Sequence, residues 1–148
     1  KGVVGLSSLI LVVGFVMTAL DFKYGWSEMT RWQVLEASLL FLFGYGLYIE
    51  VLRENKYLSR TVEIQEGQKI IDTGLYSIVR HPMYLATIMI FLAMPLILGS
   101  TYALLVFIFY PFLLAKRIKN EEEVLEKGLE GYTEYKKKVK FRLIPYIW

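Results

Sequence analysis

Three polar clusters in this sequence carry residue types that can do chemistry. The first is Gly74-Leu75-Tyr76-Ser77-Ile78-Val79-Arg80-His81-Pro82-Met83-Tyr84. Pro82 suits the first turn of a helix, where its missing N–H would go unbonded anyway, and His81 then falls at or near the cap. The free N–H groups and positive dipole end of such a helix suit an anionic ligand group such as a carboxylate. The plainer alternative is that His81-Pro82 only starts a helix and Arg80 touches lipid phosphate. The second cluster is Lys116-Arg117-Ile118-Lys119-Asn120-Glu121-Glu122-Glu123. Arg117 and Glu121 stand four apart and so share one helical face. An ordinary intrahelical ion pair, worth about a few tenths of a kcal/mol, is the plainer account of them. The third cluster, Lys136-Lys137-Lys138 with Lys140 and Arg142, most simply attracts anionic lipid headgroups.

Composition removes several classes of function. Cysteine is absent, so there is no disulfide framework, thiol nucleophile or zinc–thiolate site. His81 is the single histidine, so no multi-histidine metal site can form. The motifs GxGxxG, GxxxxGK[ST], HExxH and GxSxG are missing. Apolar residues make up 55% and charged residues 21% of the 148, with a mean hydropathy of +0.43. That excess lies in long blocks, which argues against a soluble globule and against a disordered tail. Nucleic acid is a poor partner for so apolar a chain.

The elements that must position the polar clusters are therefore membrane helices. Residues 2–20 carry no charge, and at 1.5 Å per residue they reach about 29 Å, the thickness of a bilayer's hydrocarbon core. A signal peptide is the competing reading, but it fails on length and lacks a small-residue cleavage site. Residues 32–52 form a second block, with Glu36 and Glu50 near its ends. Residues 83–98 and 101–116 form a third and fourth, separated by Gly99-Ser100. They read as a tight helical hairpin, in which Pro95 and Pro111 predict kinks. Gly44-Tyr45-Gly46, inside the second block, reads as an aid to helix packing. Only Lys23 and Arg31 of the seventeen Lys and Arg residues lie in the 21–31 loop; the other fifteen lie in 53–80, in the tail from Lys116, or at Lys1. The positive-inside rule then puts both termini and the 53–82 segment in the cytoplasm. Tyr24, Trp26, Trp32, Tyr102, Tyr146 and Trp148 sit near block ends, as an aromatic belt requires.

The expected architecture is all-α, a polytopic membrane helix bundle of about four transmembrane helices plus a cytoplasmic amphipathic helix. It forms one membrane-embedded domain over 1–148, with a binding loop at 60–82 and a cytoplasmic helix and tail at 117–148. The chain begins with Lys1, not Met, which points to a trimmed piece with an upstream helix missing. Within the loop, 61–65 and 68–72 flank Glu66-Gly67 and alternate in polarity, a two-strand hairpin signal. In the tail, Ile118, Leu125, Tyr132 and Val139 recur every seven residues, with Leu129 and Tyr135 nearby, and predict one apolar stripe. The closing Phe141-Arg142-Leu143-Ile144-Pro145-Tyr146-Ile147-Trp148 is expected to dock against the bundle or the interface.

Gly74-x-Tyr76-x-x-x-Arg80-His81-Pro82-x-Tyr84, an apolar hairpin, then Arg117-x-x-x-Glu121-Glu122-x-x-Leu125 and Tyr132-x-x-Tyr135 resemble the isoprenylcysteine carboxyl methyltransferase family. That family of integral membrane enzymes is related to the phospholipid methyltransferases. The resemblance covers more than half the chain. It implies a methyltransferase that uses S-adenosylmethionine without a Rossmann domain, its cofactor held in a cytoplasmic pocket under the hairpin. Carried over by position, the cofactor contacts would be Gln68, Lys69, Ile70, Ile71, Tyr76, His81, Pro82, Met83, Tyr84 and Glu121. Thr61 aligns with another. Arg117 matches the position associated with the substrate and would orient it. Leu75 stands where the family often has proline, the Leu125–Tyr132 spacing is compressed, and the N-terminal helices are fewer than in many members.

The implied chemistry suits these residue types. The His81–Tyr84 helix start can donate to the cofactor's carboxylate. Glu121 can accept from hydroxyls or the ammonium, and Tyr76 and Tyr84 can pack against adenine or sulfonium. A carboxylate nucleophile is already ionised and needs no general base, whereas an amine would need a proton acceptor. The expected substrate is a lipophilic carboxylate entering from the bilayer, such as an isoprenylated cysteine or related lipid, with membrane lipids as further partners and no metal. A phospholipid or other amine N-methyltransferase is one alternative. A membrane reductase is another, since His81-Pro82-x-Tyr84 and the ending also resemble sterol reductases. A non-catalytic scaffold is the third. The absence of eukaryote-like extensions points to a prokaryotic inner membrane.

Overall fold

Long uncharged runs leave the backbone only one way to satisfy its N–H and C=O groups in lipid, which is to bond within a helix. The computed structural model of the chain follows that rule and describes residues 2–59 and 62–148. The expectations placed on Lys1 and Thr61 lie outside the described residues. Helix α1 spans Gly2–Tyr24 and α2 spans Arg31–Glu54. A four-residue 3-10 turn, Gly74–Ser77, precedes α3 (Pro82–Ile97), α4 (Thr101–Phe107), α5 (Tyr110–Gly128) and α6 (Tyr132–Lys138).

Three segments are long and apolar enough to cross a membrane: α1, α2 and Thr101–Gly128, which joins α4 to α5. The 16-residue α3 is shorter, about 24 Å at 1.5 Å per residue. Val12, Leu42 and Phe43 are exposed on the outer faces of α1 and α2, as a lipid-facing surface demands. Thr30 starts α2 with a capping box: its hydroxyl accepts from Gln33 N at 3.3 Å while Gln33 Oε1 accepts from Thr30 N at 2.9 Å.

Small residues set the helix spacing. A Cβ on Gly44 would lie 3.0 Å from Met89 Cβ and 3.2 Å from the Ala86 carbonyl, so glycine lets α2 approach α3 closely. Gly46 has open space around it and plays no such part. Gly14 of α1 receives the Phe107 ring of α4, where a Cβ would fall 2.4 Å from it. The hairpin turn uses Gly99 at φ +83° and Ser100, whose hydroxyl caps α4 by accepting from Ala103 N at 3.0 Å. Pro111 acts as expected: its ring cannot tolerate the Phe107 carbonyl, and the helix breaks between Phe107 and Tyr110.

Two expectations fail. No strand forms among the described residues of the 60–72 loop. The Glu66-Gly67 turn is present, with Gln68 N donating to Gln65 O at 3.0 Å, but no ladder continues from it. Side chains satisfy the backbone instead: Gln65 N donates to Gln68 Oε1 at 2.9 Å, and Gln65 Nε2 to Tyr57 O at 2.9 Å. Nor is the seven-residue recurrence in the tail one stripe. Gly131, at φ +82°, turns the chain between α5 and α6. Ile118 joins a core of Tyr84, Tyr110, Leu114 and Leu143, whereas Tyr132, Tyr135 and Val139 form a second cluster with Ile70, Leu125 and Leu129. The closing segment does dock: Leu143 is buried in the first core and Trp148 packs against it.

Candidate functional site

The His81-Pro82 helix start becomes a site because the tail folds onto it. Arg80 N and His81 N donate to the carbonyls of Phe141 and Arg142, both at 2.9 Å. The Arg80 side chain turns inward. Its Nη1 donates to the carbonyls of Val139 and Lys140 at 2.7 and 2.8 Å, and its Nε to Glu122 Oε1 at 2.8 Å. Arg80 is thus buried among protein acceptors, and the lipid-phosphate alternative for it is overturned. Arg142 reaches the other oxygen of Glu122 at 2.9 Å, and His81 Nε2 lies 3.2 Å from Oε1. Two guanidinium groups thus offset one fully buried carboxylate, which is the condition for burying such a charge at all.

Glu121, one position earlier on α5, points elsewhere. Its Oε2 accepts from the Tyr84 hydroxyl at 2.5 Å, and that hydroxyl accepts from Arg117 Nε at 2.8 Å. The Arg117 guanidinium also lies over the Tyr84 ring, 5.8 Å from its centroid. Arg117 and Glu121 share a helical face as expected, and one phenol of α3 links them.

Tyr76 is fixed from three sides. Asn55 Nδ2 donates to its hydroxyl at 2.8 Å, and Tyr135 Oη donates to its carbonyl at 2.7 Å. The turn that carries it is pinned by Glu54, whose carboxylate accepts from Leu75 N at 3.0 Å. A side chain on Gly74 would collide with that carboxylate, and its φ of +51° also favours glycine. Burial pushes the Tyr76 phenol up to about 12, with the Asn55 hydrogen bond opposing it. Burial likewise raises the phenols of Tyr132 and Tyr135. All three are protonated at neutral pH.

These pieces line a cleft with a cavity volume of about 100 Å³ that opens to solvent. Gln68, Lys69, Ile70, Ile71, Tyr76, His81, Met83, Tyr84 and Glu121 line it. Pro82 does not; it is buried as the first residue of α3 and aims His81 and Met83. Arg117 is not in the cleft either. It closes the polar end of a second, apolar groove of about 520 Å³ between α1, α2, α3 and α5. Stripes at helical spacing line that groove: Val4, Ser7, Ser8 and Leu11 on α1, Met83, Tyr84, Thr87 and Phe91 on α3, and Tyr110, Leu114 and Arg117 on α5. Cleft and groove share Leu58, Ser59, Met83 and Tyr84 as a common wall.

Sequence reasoning missed Asn55, Tyr57, Leu129, Tyr132 and Tyr135 as cleft walls and Glu122 as the hub beneath them. The Tyr132-x-x-Tyr135 spacing was a usable signal for the two tyrosines. Glu122 stood in the quoted Glu121-Glu122 motif, but its role was hidden because its partners stand 42 and 20 residues away in the chain.

Comparison with known proteins adds independent findings. The family model "Isoprenylcysteine carboxyl methyltransferase (ICMT) family" matches residues 37–127, more than half the chain. A mouse (Mus musculus) protein, Delta(14)-sterol reductase TM7SF2, is 31% identical over 91 residues, covering 60% of this chain and 22% of its own length. A Delta(14)-sterol reductase of Methylotuvimicrobium alcaliphilum is 24% identical over 136 residues, covering 82% of this chain and 32% of its own. The chain therefore spans about a fifth to a third of the length of these curated relatives. Among solved structures, the eukaryotic intramembrane Ras methyltransferase ICMT superposes with a TM-score of 0.78 at 18% identity. That match covers 95% of this chain and 52% of the solved one, and it establishes a shared membrane helix-bundle fold.

Proposed function

This chain is an integral membrane protein of the isoprenylcysteine carboxyl methyltransferase family, and from that premise we propose that it methylates the carboxylate of a lipid using S-adenosylmethionine. The observation that carries this reading is the common wall. The polar cleft and the apolar groove meet at Met83 and Tyr84, and the Tyr84 hydroxyl touches Glu121 on one side and Arg117 on the other. A polar donor and an apolar acceptor could meet there without either leaving its own surroundings.

The cleft suits the methyl donor. Glu121 offers a carboxylate to an ammonium or to hydroxyls, Gln68 an amide, and Tyr76 and Tyr84 aromatic faces to a cation or a base. When bound, S-adenosylmethionine supplies an electrophilic methyl on a positively charged sulfur. The protein's own part is alignment and exclusion of water. Arg117 holds the substrate carboxylate at the head of the groove, and Tyr84 fixes the Arg117 guanidinium through its hydroxyl. Met83 and Leu58 keep the junction apolar. Holding two reactants in line accounts for much of the rate, since an ionised carboxylate needs no base. The positive-inside bias of the sequence puts this end of the bundle in the cytoplasm.

A reductase reading draws on the two sterol reductase relatives. The cleft's chemistry weighs against it. A nicotinamide dinucleotide brings several negative charges, yet Arg80 is spent on Glu122 and two carbonyls, and Lys69 is outweighed by Glu63 and Glu121 in the cleft lining. Calorimetric titration of the purified protein separates the readings. Saturable binding of S-adenosylhomocysteine, lost in Glu121→Ala and His81→Ala, with no competition from NADPH, is expected. NADPH binding without S-adenosylhomocysteine binding would reject the methyl-donor reading.

A further inference from the structure

Two tyrosines of the cleft, three residues apart on α6, have been put to different use. The Tyr135 hydroxyl is spent on the fold, donating to the Tyr76 carbonyl at 2.7 Å. The Tyr132 hydroxyl is the one buried side-chain polar atom without a hydrogen-bond partner among the described residues, on a residue only 4% exposed. A buried phenol that bonds to nothing is costly, and such groups are scarce in folded proteins. Phenylalanine would fill the same space without that cost, so the hydroxyl needs a reason to be there.

Its surroundings say what kind. Tyr132 lines the cleft and clusters with Tyr135 and Val139, against which Ile70, Leu125 and Leu129 pack, and its phenol lies within reach of the charges of Glu122 and Arg80. Glu122 is already held by Arg80, Arg142 and His81, so the phenol finds no acceptor there, and the carboxylate of Glu121 and the imidazole of His81 lie toward the α3 end. A flat heterocycle with an acceptor nitrogen on its edge matches such a corner. A second carboxylate would be repelled by Glu122. Ile70 belongs to a loop without helix or strand among its described residues, so this part of the cleft wall is best able to move aside.

Deepening the methyl-donor reading above, on which this rests, we propose that Tyr132 is a further ligand contact, whose hydroxyl donates to a ring nitrogen of the cofactor's adenine. The phenol keeps its proton at neutral pH because burial raises it, so it is a donor throughout the working range. The residue then selects for the purine, while the Glu121 end of the cleft holds the amino-acid part of the cofactor.

The test is calorimetric titration of the full chain and Tyr132→Phe with S-adenosylhomocysteine and its 1-, 3- and 7-deaza analogues. Tyr132→Phe is expected to bind S-adenosylhomocysteine about five- to tenfold more weakly. One analogue, lacking the accepting nitrogen, should show a similar loss with the unaltered protein and no further loss with the variant. Without ligand, Tyr132→Phe should melt at the same or a higher temperature, because an unsatisfied hydroxyl has been removed. Equal affinities of the two proteins for S-adenosylhomocysteine, the same further loss for all three analogues, or a lower melting point of the ligand-free variant would each overturn the assignment. If the unaltered protein binds no S-adenosylhomocysteine, the methyl-donor reading falls and takes this one with it. If it binds and Tyr132→Phe binds as tightly, only the role of Tyr132 falls.

Discussion

The bundle buries one carboxylate at each end, and the two are satisfied in opposite ways. At the far end, Asp21 of α1 is held by neutral donors. It accepts from Ser27 N and Ser27 Oγ, both at 2.7 Å, and from the Ser100 hydroxyl. At the site end, Glu122 of α5 is held by Arg80, Arg142 and His81. Asp21 ties the α1–α2 loop to the α3–α4 turn, 79 residues away in the chain. Glu122 braces segments far apart in sequence: the α3 start, α5 and the tail. Hydroxyls suffice where the backbone turns sharply and supplies its own N–H groups. Charge is used where the closing segment is held beside a cleft.

This contrast can be broken or sharpened by substitution. Glu122→Ala leaves the buried Arg80 guanidinium and the partly buried Arg142 without their counter-charge, and a loss of about 3–5 kcal/mol in unfolding free energy is expected in detergent or lipid. Arg80→Met should come next, since its side chain is only 4% exposed and it also strands the Val139 and Lys140 carbonyls. Arg142→Met should cost less, about 1–2 kcal/mol, because that side chain is a quarter exposed and water can replace part of its role. Asp21→Asn should lower the melting temperature while leaving S-adenosylhomocysteine binding intact, because its contacts lie at the other end of the bundle. Loss of binding in Asp21→Asn, or none in Glu122→Ala, would erase the distinction between joint and brace.

The smallest effect belongs to the exposed pair of Lys138 and Asp72, 2.8 Å apart. The Lys138 hydrogen bond, then its charge, holds the Asp72 carboxyl below its ordinary 3.8. The folded state therefore favours the ionised form. The pair's contribution is present above pH 3.8 and fades as pH falls through the lowered value. Lys138→Ala should melt slightly below the unaltered protein at neutral pH and alongside it in acid. A gap that widened in acid would contradict the sign.

Much of this was legible in the sequence because it is local. Uncharged blocks, Pro82 after His81, and Gly99-Ser100 each act through their own few neighbours, and each produced its element. The cleft was legible as well, since the residues drawn from the Gly74–Tyr84 run and Glu121 converge on it, save the buried Pro82. What stayed hidden depends on distant partners. Val62 and Ile64 alternate like a strand, but Gln65 and Gln68 satisfy the backbone and Ile64 packs at Gly128. The seven-residue recurrence from Ile118 to Val139 spans a turn that only the positive φ of Gly131 exposes. Glu122 looks like its neighbour Glu121 until the tail and Arg80 arrive around it.

The central claim is that a polar methyl donor and a lipid carboxylate meet at Tyr84. Incubating the protein in vesicles with a prenylated cysteine and methyl-labelled S-adenosylmethionine tests it most directly. Label should pass into the lipid as an ester, be released by base as methanol, and fall sharply in Arg117→Gln. Base-stable label on an amine lipid, or no transfer from a protein that binds S-adenosylmethionine and the lipid together, would contradict it.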